Sequence, residues 1–441
     1  MRATFKNGIH PPAHKRIVED IAIDFITPKI GCEMVYPLTQ HIGAQCEPLI
    51  EIGDRVLVGQ KIADSSAYVA APIHSSVSGT VVAIRPHVTP SGFNVESIII
   101  ENDALFEEHE SIKIPTKQYF EYSREEVIAI IREAGIVGLG GAGFPTHIKL
   151  SPPPDKIIDT IMVNAAECEP FLTTDYRVLL EEGDRLILGL KVILHIFPNA
   201  CGIIAIEDNK PKAIKIMKDL ASKEPNIHIK VLKSKYPQGC EKQLIYALNG
   251  KEVPIGGLPA DVGCIVQNVD TVIAIHRAFF RGRPLMRKVV TLSGGAIKNP
   301  GNYKVRIGMP LSELIEVAGG FTEKPAKLIA GGPMMGVALY TPNVPLIKTS
   351  SGILCLTEEE AFIPPEQNCI RCGQCINHCP INLLPYRLNE HALVRDFEQF
   401  EKDFGTQCIE CGSCSYICPA KRHLTQSIRA VKRTILAKNK K

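Results

Sequence analysis

Two short stretches of this 441-residue chain concentrate its chemistry. Residues 369–380 read CIRCGQCINHCP and residues 408–419 read CIECGSCSYICP, the same CxxCxxCxxxCP pattern repeated at an offset of 39 residues. In this spacing three thiolates converge on one iron–sulfur cubane, while the fourth, just before the proline, serves the other cluster. Cys369, Cys372, Cys375 and Cys418 are therefore assigned to one [4Fe-4S] cluster, and Cys408, Cys411, Cys414 and Cys379 to its twin. Gly373 and Gly412 suit a close approach of backbone to cluster. Zinc is the alternative, but it needs neither the third cysteine nor the Cys-Pro. Two neighbouring clusters conduct single electrons, so a group that handles electron pairs is required if a nicotinamide is to react.

A glycine-rich loop is the place to look for that group. GLGGAGFPTHIKL (138–150) contains GxGxxG at Gly138, Gly140 and Gly143, with Gly141 and Phe144 between and after them. A dinucleotide fingerprint needs a strand before the loop. Here a helix precedes it, opened by a Ser123/Glu126 capping box and ending near Gly135. Glycines still let backbone N–H groups crowd round a phosphate, and Lys149 can add a charge-assisted bond; close packing is the plainer use of such a loop.

Three further segments follow in order: NAAECEP (164–170), YPQGCEK (236–242) and QNVDT (267–271). Together with the loop they resemble the flavin-carrying, NADH-binding subunit of respiratory complex I, which has GRGGAGFPTGxKW, NADEGEPG, YxCGEE and NNVET. The resemblance implies FMN held by the glycine loop, Lys149, Asn164 and Asn268. It also implies Glu167, Glu169, Gly239 and Glu241 near the flavin or the nicotinamide and ribose. The sequence departs from that pattern at Leu139 (loop arginine), Ala166 (aspartate) and Cys240 (one of the paired glutamates).

The elements that must position these residues change character along the chain. Residues 1–116 are short Val- and Ile-rich runs punctuated by Gly and Pro, and residues 50–84 resemble the biotinyl and lipoyl carrier barrel. No lysine lies between Lys61 and Gly79, so no swinging arm is expected. Residues 117–287 alternate strand-like and helical runs, the pattern of an α/β domain with a largely parallel sheet that would hold FMN and NADH. Residues 288–350 resemble the soluble-ligand-binding β-grasp domain, residues 351–430 carry the two cluster motifs, and residues 431–441 read as a basic tail. The fold class expected is multidomain α+β and α/β: barrel-sandwich, complex-I-flavin-subunit-like, β-grasp and helical two-cluster ferredoxin-like domains.

Composition narrows the function further. Fifty Lys and Arg against 47 Asp and Glu give a net charge of +3, too little for a nucleic-acid-binding surface. Eight of the basic residues fall between Lys421 and Lys441, leaving a slightly acidic body. With 15 cysteines and no apolar signal segment at the start, a reducing compartment is expected. The run from Leu186 to Ile206 is broken by Lys191, His195, Pro198 and Asn199 and reads as helix then strand, not as a membrane span.

The order of domains, with FKNGIHPPAHK (5–15) at the start, is similar to the C subunit of the Rnf electron transport complex over essentially the whole chain. That resemblance implies a peripheral position on the cytoplasmic side of the cell membrane, exchanging electrons with NAD(H) through FMN and two [4Fe-4S] clusters. Partner subunits would handle ferredoxin and translocate ions. Cobalamin-reductase-type flavoproteins share these modules in a rearranged order, and an electron-carrying docking protein without its own NADH site is the other alternative.

Overall fold

The computed structural model describes residues 3–438. Strands Glu33–Pro37, Asn94–Asn102, Gly79–Val88 and Arg55–Val56 form one antiparallel sheet of the N-terminal domain, in that order, and three shorter strands form a second. The facing sheets make a barrel-sandwich closed over Met34, Tyr36, Ile62, Ile98 and Ile100. Residues ahead of Glu33 serve other layers. Ala3 and Ile9 bridge to Leu232 and Tyr236, and Asp24–Phe25 pairs in parallel with Tyr303–Lys304.

Next comes a four-stranded parallel sheet in the order Ile227–Leu232, Cys201–Glu207, Thr160–Ala165, Cys264–Asn268. Its first strand in sequence is internal: the chain steps outward through Cys201–Glu207 to Ile227–Leu232, then crosses back to add Cys264–Asn268 on the other side, so the switch lies between Thr160–Ala165 and Cys264–Asn268. Ligands of open α/β sheets bind outside the carboxyl ends of strands at such a switch. Helices Gly183–His195 and Val269–Arg281 cover the sheet through Leu186, Leu190, Ile193, Val272 and Ile275, spaced for one helical face.

A six-stranded mixed sheet follows, built on Arg287–Ser293, Gly301–Arg306 and Gly352–Leu356 and flanked by helix Leu311–Val317. Gly352–Leu356 pairs with both Arg287–Ser293 and Lys327–Ala330, so this sheet continues past residue 350. Its apolar face and that of the barrel share one core: Val290, Leu292 and Ile353 belong to the same cluster as Met34 and Ile100.

The C-terminal domain is helical, with a separate small core of Leu388, Ala392, Phe400, Ile428, Val431 and Ile435. The segment between the motifs is two helices, Pro385–Leu393 and Phe397–Lys402, separated where Arg395 takes φ +56°. Residues expected to begin a basic tail at 431 instead continue helix Leu424–Lys438, because Ile428, Val431 and Ile435 repeat at helical spacing and are buried. Residues 439–441 lie outside the described residues.

Candidate functional site

A cleft of about 830 Å³ opens at the switch point of the parallel sheet. Asn164 and Asn268 are register partners at the ends of adjacent strands, and both line it. Gly138, Gly140, Gly141, Gly143, Phe144, Lys149, Gly239 and Glu241 complete the set of sequence-predicted residues that the structure brings to this cleft. Helix Val269–Arg281 starts here with Asn268 as its cap. The Asn268 Oδ1 accepts from Asp270 N at 2.9 Å, and its Nδ2 donates to Asp175 at 2.9 Å. A helix N-terminus beside glycine backbone is a favourable setting for a phosphate. A Cβ on Gly140 would lie 2.9 Å from that of Asn268, so only glycine lets the loop sit this close to the cap.

Polar groups in the cleft wall are positioned by one another. Asn164 Nδ2 donates to the Gly239 carbonyl at 2.8 Å, and Lys149 Nζ contacts Glu241 Oε2 and the Val266 carbonyl, each at 3.2 Å. Gln267, 1% exposed and absent from the expected site, lines the cleft with both side-chain amide atoms buried and unpartnered. Its place in the QNVDT segment was the available signal. An orphaned amide, a glycine cradle and a cation in a space within the usual ~300–1,000 Å³ of cofactor clefts fit a flavin nucleotide.

Glu167 and Glu169 do not line the cleft. Glu167 Oε1 accepts from Asp175 N (2.9 Å) and Thr174 Oγ1 (3.1 Å) at the start of helix Thr174–Glu181, with Lys15 alongside. Glu169 reaches the β-grasp domain and accepts from the N–H groups of Met334 (3.1 Å) and Met335 (3.0 Å); burial nevertheless pushes its carboxyl up to about 7. Asp175 behind Asn268 is also raised to about 7, by burial first and then by Glu167. At the positions that depart from the complex I pattern, Leu139 is a core residue whose N–H donates to Thr271 Oγ1, and Cys240 caps helix Glu241–Asn249.

The cysteines separate into two hollows. One, of about 560 Å³, is lined by Cys369, Cys372, Cys375 and Cys418; the other, a slit of about 20 Å³, by Cys379, Cys408, Cys411 and Cys414. Each set takes its fourth thiol from the opposite motif. Among the described residues no three His, Cys, Asp or Glu side chains are gathered tightly enough for a single ion. The repeat is also conformational: Arg371 and Glu410 (φ +55° and +58°) and Gly373 and Gly412 (φ +73° and +79°) take left-handed backbone at matching positions. Four cysteines line each hollow, the ligand number of a cubane.

The two hollows differ in exposure. Cys369 and Cys372 are exposed, whereas Cys379, Cys411 and Cys414 are buried. Burial raises the Cys408 thiol to about 11 and that of Cys414 to about 12, so loading iron there must displace protons. Sequence reading missed the residues that join this hollow to its surroundings. Tyr236 Oη donates to the Cys411 carbonyl at 2.7 Å, Gln243 Nε2 to that of Pro380 at 3.1 Å, and Asn7 Nδ2 to that of Cys379 at 3.0 Å. Lys432 Nζ donates to the Cys408 carbonyl at 2.7 Å and, with Arg429, pairs with Glu410, so these basic residues surround a cluster loop.

Comparison with known proteins agrees with this division. Family models match residues 3–105 (RnfC barrel sandwich hybrid domain), 131–277 (Nuo51 FMN-binding domain), 289–338 (SLBB domain) and 359–423 (4Fe-4S dicluster domain). The C subunit of the Na+-translocating ferredoxin:NAD+ oxidoreductase complex of Acetobacterium woodii is 43% identical, over 99% of this chain and 98% of its own. The chain belongs to the RnfC family. The C subunit of the proton-translocating ferredoxin:NAD+ oxidoreductase complex of Clostridium ljungdahlii is 46% identical over 98% of this chain and 94% of its own. The corresponding member of the ion-translocating oxidoreductase complex of Rhodobacter capsulatus is 39% identical over 90% and 76%. The crystal structure of an air-oxidised NAD+-reducing [NiFe]-hydrogenase shares the fold over 73% of this chain and 63% of its own (TM-score 0.51, 19% identity). As a member of the RnfC family, the chain carries an FMN-binding domain and a two-cluster [4Fe-4S] domain within an oxidoreductase translocase complex.

Proposed function

We propose that this protein exchanges electrons with NAD(H) at the cleft and relays them through the Cys408 hollow to the Cys369 hollow, where partner subunits in contact with ferredoxin take over. Bound FMN would supply two-electron exchange with a nicotinamide and one-electron exchange with clusters. The chain's own part is positional. The glycine loop, Lys149 and the cap of helix Val269–Arg281 would hold the phosphate, Gln267 would meet the polar edge of the ring, and Asn164 keeps the Gly239 turn in place. No side chain needs to act as general acid or base.

One observation carries the reading: segment 236–243 belongs to both sites. Gly239 and Glu241 line the cleft, while Tyr236 and Gln243 bond to the backbone of Cys411 and Pro380 at the buried hollow. The exposed thiols Cys369 and Cys372 then offer the outlet. Among the described residues no helix is long and apolar enough to cross a membrane; a peripheral place on the cytoplasmic face of the complex is part of the proposal. The test is anaerobic reconstitution followed by NADH titration, watched by flavin absorbance and EPR. Lys149→Ala should lose flavin and NADH-driven cluster reduction while keeping both clusters. Undiminished flavin and cluster reduction in that variant would refute the assigned cleft. Cluster reduction by NADH without any flavin would favour a different entry point.

A further inference from the structure

Away from both redox sites, a pocket of about 350 Å³ opens between the FMN-binding domain and the β-grasp sheet. Six cationic side chains line it. Arg185 comes from the first turn of helix Gly183–His195, and Arg277 and Arg281 from the end of helix Val269–Arg281. Arg283 follows in the loop, and Arg287 and Lys304 come from neighbouring antiparallel strands. Residues spread from 185 to 304 thus place their positive charge on one concavity.

The acids nearby do not balance them. Glu182 binds Arg277 at 3.0 Å, Arg185 at 2.9 Å and Lys304, and Glu108 binds Arg283 at 2.5 Å. Asp184 also acts on this neighbourhood, and Asp270 acts on Lys304 but is itself paired with Lys288 at 2.9 Å. Arg281 and Arg287 form no ion pair among the described residues; the Arg287 guanidinium lies 4.5 Å from the centre of the Phe25 ring. The excess of positive charge is felt within the site: burial, then Arg283 and Arg277, lower Arg287, and burial, then Arg185 and Arg277, hold His276 at about 4. His276 is therefore neutral near pH 7. It is 5% exposed, stacks on Phe280 and lines the pocket, with Nδ1 buried and without a hydrogen-bond partner.

We propose that this pocket binds a ligand carrying two phosphate groups. Guanidinium forks match phosphate oxygens bidentately, and a net excess of cations around one concavity calls for an anion of more than one charge. The buried imidazole supplies one more polar contact, while Ala274, Leu285 and Met286 give a short apolar wall for the part of the ligand that is not phosphate. Either a soluble diphosphate or the headgroup of a bisphosphate lipid offers this chemistry. The inference rests on neither the flavin nor the cluster assignment.

Binding of inorganic pyrophosphate to the full, cluster-loaded protein, followed by calorimetry at low and raised salt, tests it. Pyrophosphate should bind, weaken with salt, and lose about tenfold or more in affinity in the Arg281→Ser, Arg283→Ser double variant, with flavin and iron content unchanged. Vesicles containing cardiolipin distinguish the sources. If they compete with pyrophosphate the ligand is a lipid headgroup, and if they do not it is a soluble diphosphate. Failure of both probes to bind, or binding indifferent to the double variant and to a separate Arg287→Ser variant, would overturn the proposal.

Discussion

The Tyr236 hydroxyl donates a 2.7 Å hydrogen bond to the carbonyl of Cys411, tying the segment that walls the cleft to the buried hollow of four cysteines. Tyr236 is 1% exposed and packs with Ile9 and Cys411, so the ring is fixed in place. Tyr236→Phe keeps the ring and removes the bond. A net cost of about 0.5–1.5 kcal/mol is expected, with cluster reduction by NADH slowed and flavin content unchanged. Thermal unfolding and stopped-flow spectroscopy of the variant measure the two effects separately.

Gly140→Ala should act at the cleft alone. The added carbon meets Asn268 at 2.9–3.0 Å on three atoms, and Asn268 cannot withdraw without giving up the helix cap and its bond to Asp175. Overpacking of this kind costs about 1–3 kcal/mol. The flavin-to-iron ratio of the purified variant should fall while its EPR cluster signals remain.

Crossed ligation makes a directional prediction. Cys379 sits in the first motif but lines the hollow of Cys408, Cys411 and Cys414, whereas Cys418 lines that of the first motif. Cys379→Ser should therefore impair the buried cluster and spare the exposed one, and Cys418→Ser should do the reverse. EPR of the two reduced variants would show complementary spectra. The same cluster lost in both would mean that ligation is not crossed in this way.

Glu182 carries a pH-dependent share of stability. Burial opposes its ionisation, yet Arg277, Lys304 and Arg185 hold its carboxyl at about 2, below its ordinary 4.5. Because the folded-state value is the lower one, this contribution is complete above pH 4.5 and is lost as pH falls through 2. Glu182→Gln leaves the half-buried Arg277 and Lys304 without their carboxylate and should cost about 3 kcal/mol near neutrality. Denaturant titrations should show the gap between parent and variant narrowing in acid.

Much of the chemistry was legible in the chain because it is encoded in local spacing. A CxxCxxC turn can gather three thiols only one way, and the doubled Cys-Pro already implied exchange of the fourth. The strand–helix alternation from residue 117 onward foretold the parallel sheet, since each run is long enough to show its own period. The glycine loop, Asn164 and Asn268 were nameable from their motifs, but not the reason they meet. They converge because strand order places the ends of Thr160–Ala165 and Cys264–Asn268 side by side at the switch.

Tertiary structure decided what depends on the direction a side chain takes after its backbone turns. Glu167 and Glu169 sit in the same motif as Asn164, yet one serves the start of helix Thr174–Glu181 and the other the Met334–Met335 amides. Helix starts and turns leave backbone N–H groups without a partner of their own, and these carboxylates are the groups that reach them. Lys432, read in sequence as part of a basic tail, lies on a helix whose apolar stripe docks into the cluster domain, which carries its amine to the Cys408 carbonyl. The cationic pocket has no motif at all: its arginines come from two helices, a loop and a strand, and only the packing of two domains makes them neighbours. Spacing along a chain encodes contacts within one turn or one ligand set; contacts between elements follow from which apolar faces find each other, and that is settled by the whole fold.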